Sequence, residues 1–185
     1  MDKRLRAIHT QFEKLEVKKQ EIFDLLRSIP AAQLDQNPDA HTWSVYQVTR
    51  HLFTSETNSL LYLEKKLSYP DTVPHYNPKS WGGVILIKMV FLFRIKIKAP
   101  GAIDMWKITD TVSLEELKIK WDELRKNLIS FIEKEYPRFG KHLAFRHPFA
   151  GRMTMYQMLI FMNDHMNHHQ KQMRRILHRI SAVQA

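Results

Sequence analysis

Apolar residues recur along this chain at spacings of three and four, the period of one face of an α-helix, and do not alternate as in a half-buried strand. The first such run spans about Asp2 to Ser28 and sets Ile8, Phe12, Leu15, Ile22 and Leu26 on one side. A second runs from Val45 to about Leu67, and a third from Leu114 to about Glu135, where Pro137 is expected to stop it. The last runs from Met155 to about Ile180. Three of these helices open on the same device, a Ser or Thr followed three residues later by Gln or Glu: Ser44 with Gln47, Ser113 with Glu116, and Thr154 with Gln157. Each pair can satisfy free N–H groups of a helix N-terminus reciprocally, so the spacing predicts capped starts at all three.

Between the long helices the punctuation changes. Pro30 and Pro38 bracket a first loop, and a loop holding His147, Pro148 and Gly151 leads into the last helix. The connection from the second helix to the third is long and carries Pro70, Pro74, Pro78, Gly82, Gly83, Pro100 and Gly101. Within it Val84 to Ile97 is strongly apolar but interrupted by Lys88, Arg94 and Lys96, and it is too short to span a bilayer. The reading adopted is a short accessory helix packed on the bundle; the alternative is an interfacial anchor, since apolar and cationic residues mix there. Four long helices and one accessory helix predict an all-α domain covering residues 1–185, a four-helix bundle.

Composition narrows the chemistry. Hydrophobic residues at 44% and charged residues at 26% exclude a disordered chain. The absence of cysteine excludes disulfides, thiolate ligands and a catalytic thiol, so any metal site must be built from His, Asp, Glu or amide side chains. The first residues are charged and show no signal peptide, which predicts a cytoplasmic location. A net charge of +10 invites nucleic acid, anionic lipid or an anionic small molecule as partner. No block of five basic residues stands out, so the excess is read as solvated helix faces.

Four of the ten histidines lie between His165 and His178. On the last helix Met155, Met158, Met162, His165, His169, Gln172 and Ile176 advance by alternating steps of three and four, the inward stripe of a bundle helix. His165 and His169 therefore stand where Met or Leu is expected, and an unsatisfied polar group there costs roughly 1–3 kcal/mol. They are either a hydrogen-bonded core pair or two ligands of one cation. His168 falls off the stripe and is expected in solvent. On the second helix the line Val48, His51, Ser55, Asn58, Tyr62 is more polar than a packed core, and His51 can reach the bundle interior. Helical phase turns neither Glu56 nor Asp164 clearly inward, so no general base is identified, and Asp164 is read as facing solvent or capping a neighbouring charge. Gln172 is either an outer partner of the site or a core amide.

These residues carry a resemblance. Trp43-Ser44 with His51-Leu52, then His147-Pro148, Gly151 and Thr154, then His165, His169 and Gln172, are similar in order and spacing to the marks of the DinB/YfiT-like bacterial metal-binding four-helix bundles. The resemblance implies an up-down-down-up helix course, with the long connection as its crossover. It also implies that His51, His165 and His169 bind one divalent metal, nickel or zinc foremost, with iron or manganese as further candidates. By the same resemblance the function is a thiol-dependent S-transfer on a small-molecule substrate, with the thiolate of a cofactor such as bacillithiol held at the metal. A metal-hydroxide hydrolase, or a non-catalytic stress protein with a structural or absent metal, are the alternatives. Neither nucleic acid nor membrane is the expected partner, and the apolar content of Val84 to Ile97 would also suit a homodimer.

Overall fold

The computed structural model describes residues 3–93 and 112–184. Four long helices carry it: α1 (Lys3–Arg27), α3 (Val45–Leu67), α5 (Leu114–Phe139) and α6 (Met155–Gln184). Between them lie a one-turn helix α2 (Ala31–Leu34), a 3₁₀ turn at Pro70–Thr72, the helix α4 (Ser80–Leu92) and a hairpin of β1 (Phe145–His147) and β2 (Gly151–Met153).

Contacts between side chains give the helix directions. Lys18 reaches Asn163 at 2.9 Å and Glu21 accepts from Gln170 at 3.0 Å, so α1 and α6 run parallel. Arg27 pairs with Glu115, Lys19 with Asp122 and His9 with Glu133, so α5 runs against α1. Tyr46 meets Val112, Phe53 meets Trp121 and Glu56 meets Arg125, so α3 runs with α5. The course is up, down, down, up, which obliges a long crossover between α3 and α5 as expected. One core runs down the middle, with Ile8, Leu15, Ile22, Leu52, Leu63, Leu117, Trp121, Leu128, Met158 and Met173 all within 1% of full burial.

The expected capping residues do cap. At α3 the Ser44 hydroxyl accepts from the Gln47 N–H at 3.1 Å while Gln47 Oε1 accepts from the Ser44 N–H at 2.9 Å. Thr154 and Gln157 form the same reciprocal pair at α6, at 3.2 and 2.9 Å. At α5 the Ser113 hydroxyl accepts from Glu116 at 3.1 Å.

Three expectations are corrected. Helix α5 passes through Pro137 and ends at Phe139. Pro137 lies only one turn from the end, the Gly140 N–H still reaches the Tyr136 carbonyl at 2.8 Å, and burial of Phe139 holds the turn in place. The stretch before α6, expected as a loop, is the β1–β2 hairpin, whose turn closes through Gly151 at a φ of 74° that only glycine adopts without strain. The last helix also extends past Ile180 to Gln184. The accessory helix is present as α4 and packs on α6 and β2, with Val84 and Ile87 buried. Gly83 lies so close to the hairpin that a Cβ there would overlap the Ala150 carbonyl oxygen. The portion of this expectation on Arg94 to Ile97, with Pro100 and Gly101, lies outside the described residues. Among the described residues no helix is long and apolar enough to cross a membrane.

Candidate metal centre

Two helices supply the three histidines. His51 stands two turns into α3, so the capping box at Ser44 fixes both where that helix begins and which way His51 faces. His165 and His169 lie one turn apart on α6, on the buried stripe from Met155 to Ile176. Because α3 and α6 are antiparallel neighbours, these positions meet inside the bundle. His51 Nε2 lies 3.2 Å from His165 Nε2, and His169 Nε2 lies 3.0 Å from His165 Nε2. The three ligand atoms all fall within 4.8 Å of one another. Side-chain packing holds the rings: Phe161 stacks on His165 at 5.4 Å and Trp43 lies 5.3 Å from His51.

Each imidazole is neutral over the ordinary pH range. Burial pushes His51 down to about 4, helped by the charge His168 would carry. Burial likewise holds His165 well below the usual value, with His169 and His51 adding to the effect. At His169 burial again dominates, followed by His51 and His168, and the bond to Gln172 opposes them weakly.

The proton positions bear on what the cluster can hold. Gln172 Oε1 lies 2.7 Å from His169 Nδ1, so a neutral His169 donates there and presents a lone pair at Nε2. His165 Nε2 faces both other Nε2 atoms and carries at most one proton, which cannot point at both. In any arrangement of neutral rings one buried N···N contact is left with a shared proton or with lone pair against lone pair. A cation removes that conflict by accepting all three lone pairs. Nitrogens at about 2.0–2.1 Å from a zinc-like ion stand roughly 3.0–3.4 Å apart, close to the two separations observed. The residues therefore fit a divalent ion. Among the described residues His51 Nδ1 is buried without a hydrogen-bond partner, whereas metal-binding imidazoles usually donate from that nitrogen. Gln172, left open between two readings, is half-buried and bonds His169 Nδ1, an arrangement common to both.

Other residues fall differently from expectation. His168 is half-buried rather than solvated, because Phe91 of α4 stacks on it at 4.8 Å. Asp164 is half-buried; burial raises its carboxyl above the usual range, while Lys88 and Lys18 oppose the shift. Glu56, expected at no clear inward phase, is almost fully buried and accepts from Trp121 Nε1 at 2.8 Å and from Arg125 at 2.5 and 2.6 Å. Arg125 also reaches Glu16 at 3.1 Å, and the buried Lys19 bonds Glu16 and Asp122 at 2.7 and 2.8 Å. This ionic network locks α1, α3 and α5 together. His147 was read only as part of a sequence resemblance. Its Nδ1 accepts from the N–H groups of Phe149 and Ala150 at 3.2 and 3.0 Å, so its proton sits on Nε2, and its ring lies 4.6 Å from Phe161.

A buried group of three neutral imidazoles with no acidic ligand could hold a metal ion while leaving coordination positions for a further ligand. No curated protein and no solved structure matched the chain. The DinB superfamily model matches residues 14–173, a span that includes all three histidines and all or part of each long helix, and the chain belongs to that family.

Proposed function

We propose that this protein is a metal-dependent enzyme acting on a small molecule, with one nickel or zinc ion held by His51, His165 and His169. Its reaction in this reading is a thiol-dependent S-transfer, in which a low-molecular-weight thiol is the nucleophilic partner. The observation that carries the proposal is the convergence of three neutral Nε2 atoms, His165 Nε2 lying 3.2 and 3.0 Å from the other two, in a place where a hydrogen-bonded arrangement leaves one contact unsatisfied. A divalent ion bound there supplies Lewis acidity, lowering the pKa of a thiol or water that reaches its open positions.

The chain's own residues set the conditions for that chemistry. Each of the three histidines keeps only 7–9% of its surface exposed, so water is largely excluded and approach is narrow. With no carboxylate ligand, the charge of a bound cation stays undiminished, which favours an anionic sulfur ligand over a neutral one. Gln172 fixes the tautomer and rotation of His169, and Phe161 fixes the plane of His165. The aromatic rings of Trp43, Phe91 and Phe161 give the site an apolar wall suited to the carbon skeleton of an electrophilic substrate.

Cobalt(II) substitution with a thiol titration tests this reading. The expected result is a near-ultraviolet sulfur-to-cobalt charge-transfer band that grows with added thiol and is absent in His51→Ala. It should be accompanied by metal-dependent consumption of the thiol when an alkylating electrophile is present. A cobalt spectrum unchanged by thiol, with no metal-dependent thiol consumption, would remove the S-transfer reading.

A further inference from the structure

Helix α4 is apolar on both of its faces. Val84, Ile87 and the half-buried Val90 and Phe91 turn toward α6 and β2. The opposite side presents Trp81, Ile85, Leu86, Met89, Leu92 and, just past its end, Phe93. Their exposures run from 37% at Trp81 to 67% at Leu92, so this is a continuous uncovered face rather than a scatter of partly shielded side chains. At 100° per residue these positions fall within one sector of the helix, and the one charged residue of α4 itself, Lys88, borders it. A helix apolar all round is ordinarily buried all round. Packing on the bundle accounts for the inner face alone.

We propose that the outer face of α4 is a membrane-docking surface, which seats this protein on an anionic lipid bilayer without crossing it. Charge decides between a lipid surface and a second copy of the chain. From Thr72 to Phe93 the described residues hold Lys79 and Lys88 and no acidic residue. Two copies paired through this face would bring like charges together with no carboxylate from the same stretch to offset them. Anionic headgroups complement them, at a gain of about fivefold in affinity per lysine near the surface. The thirteen residues of α4 make a rod of about 20 Å, suited to lying in the plane of the interface. Tyr76 in the loop before the helix and Trp81 in its first turn, 43% and 37% exposed, have the apolar body and polar tip that settle at headgroup depth. This departs from the sequence expectation of no membrane partner, and it does not rest on the metal site.

The test is co-sedimentation of the full chain with vesicles of phosphatidylcholine alone and of phosphatidylcholine mixed equally with phosphatidylglycerol, with light scattering to record oligomeric state. The expected result is binding to the anionic vesicles that weakens in high salt but is not abolished. Ile85→Glu with Leu92→Glu should lower the partition coefficient by roughly tenfold per substitution, and Lys79→Glu with Lys88→Glu by about fivefold each at low salt. All four side chains are exposed, so circular dichroism should be unchanged, and His51→Ala should bind vesicles as the wild type does. Failure to sediment with anionic vesicles overturns the proposal. So does a dimer that Ile85→Glu with Leu92→Glu dissociates while vesicle binding is absent, which would assign the face to a second copy.

Discussion

Removing the Glu56 carboxylate should destabilise the fold severely, and removing its partner as well should restore most of the loss. Glu56 is 2% exposed and Arg125 1%, and between them run two short charge-assisted bonds of 2.5 and 2.6 Å. In Glu56→Leu the buried guanidinium keeps its 3.1 Å bond to Glu16 and a weak one to the Met166 sulfur at 3.3 Å, and the Trp121 N–H loses its acceptor. Stranding one member of a buried pair costs about 3–5 kcal/mol. Arg125→Met strands the carboxylate in the same way and should fall in the same range of about 3–5 kcal/mol. In the double variant neither charge remains, and the chief residual cost is the unpaired Trp121 N–H, about 1–3 kcal/mol. Each single change alone is a large share of the roughly 5–15 kcal/mol by which domains are stable, and should lower Tm by about 6–20 °C. Urea unfolding of the four proteins, followed by far-ultraviolet circular dichroism, closes the cycle. If the double variant lost as much as the two singles together, the pair would not be coupled and the network would not be what holds α3 against α5.

Adjacent glycines in α4 should respond with opposite signs. Gly83→Ala forces a methyl group into the Ala150 carbonyl oxygen and should cost about 1–3 kcal/mol, whereas Gly82→Ala meets open space and should gain about 0.5–1 kcal/mol from helix propensity; thermal unfolding reads both. His147 should contribute a pH dependence, because burial pushes its imidazole down to about 4 while the unfolded chain takes up that proton near pH 6.5. The unfolded state binds more protons between those values, so this contribution is present above about pH 6.5 and is lost as pH falls toward 4. Partial exposure reduces it to about 1–2 kcal/mol. His147→Asn, whose amide oxygen can still accept from the hairpin N–H groups, should remove that part of the acid sensitivity, read as the difference between two urea series at pH 7 and near pH 4.

How much of this was legible before the structure depends on the kind of information involved. The helix starts were, because a capping box is a local arrangement whose two bonds join residues three apart, as at Ser44 and Thr154. The α6 stripe was also legible, since helical phase alone turns His165 and His169 inward. Pairing them with His51 required knowing that α3 runs beside α6, which periodicity cannot show; the resemblance suggested it and the fold places the three together. Glu56 was missed because its phase was judged without its partner. The signal was present: Arg125 stands between Trp121 and Leu128 on the stripe of α5, and Lys19 between Leu15 and Ile22 on that of α1, both buried and charged. The hairpin around His147 was missed because its strands are three residues each, too short for alternation to register. Pro137 misled because the rule against proline inside a helix weakens within its last turn.

The claim on which the functional reading stands is that His51, His165 and His169 bind a metal ion. It is tested most directly by elemental analysis of protein purified without an affinity tag or added metal, wild type beside His165→Ala. The account predicts about one equivalent of nickel or zinc in the wild type and none in the variant, with both folded by circular dichroism. Absence of metal from both, persisting after dialysis against nickel and zinc salts, would contradict it and leave the three histidines as a core hydrogen-bonded cluster.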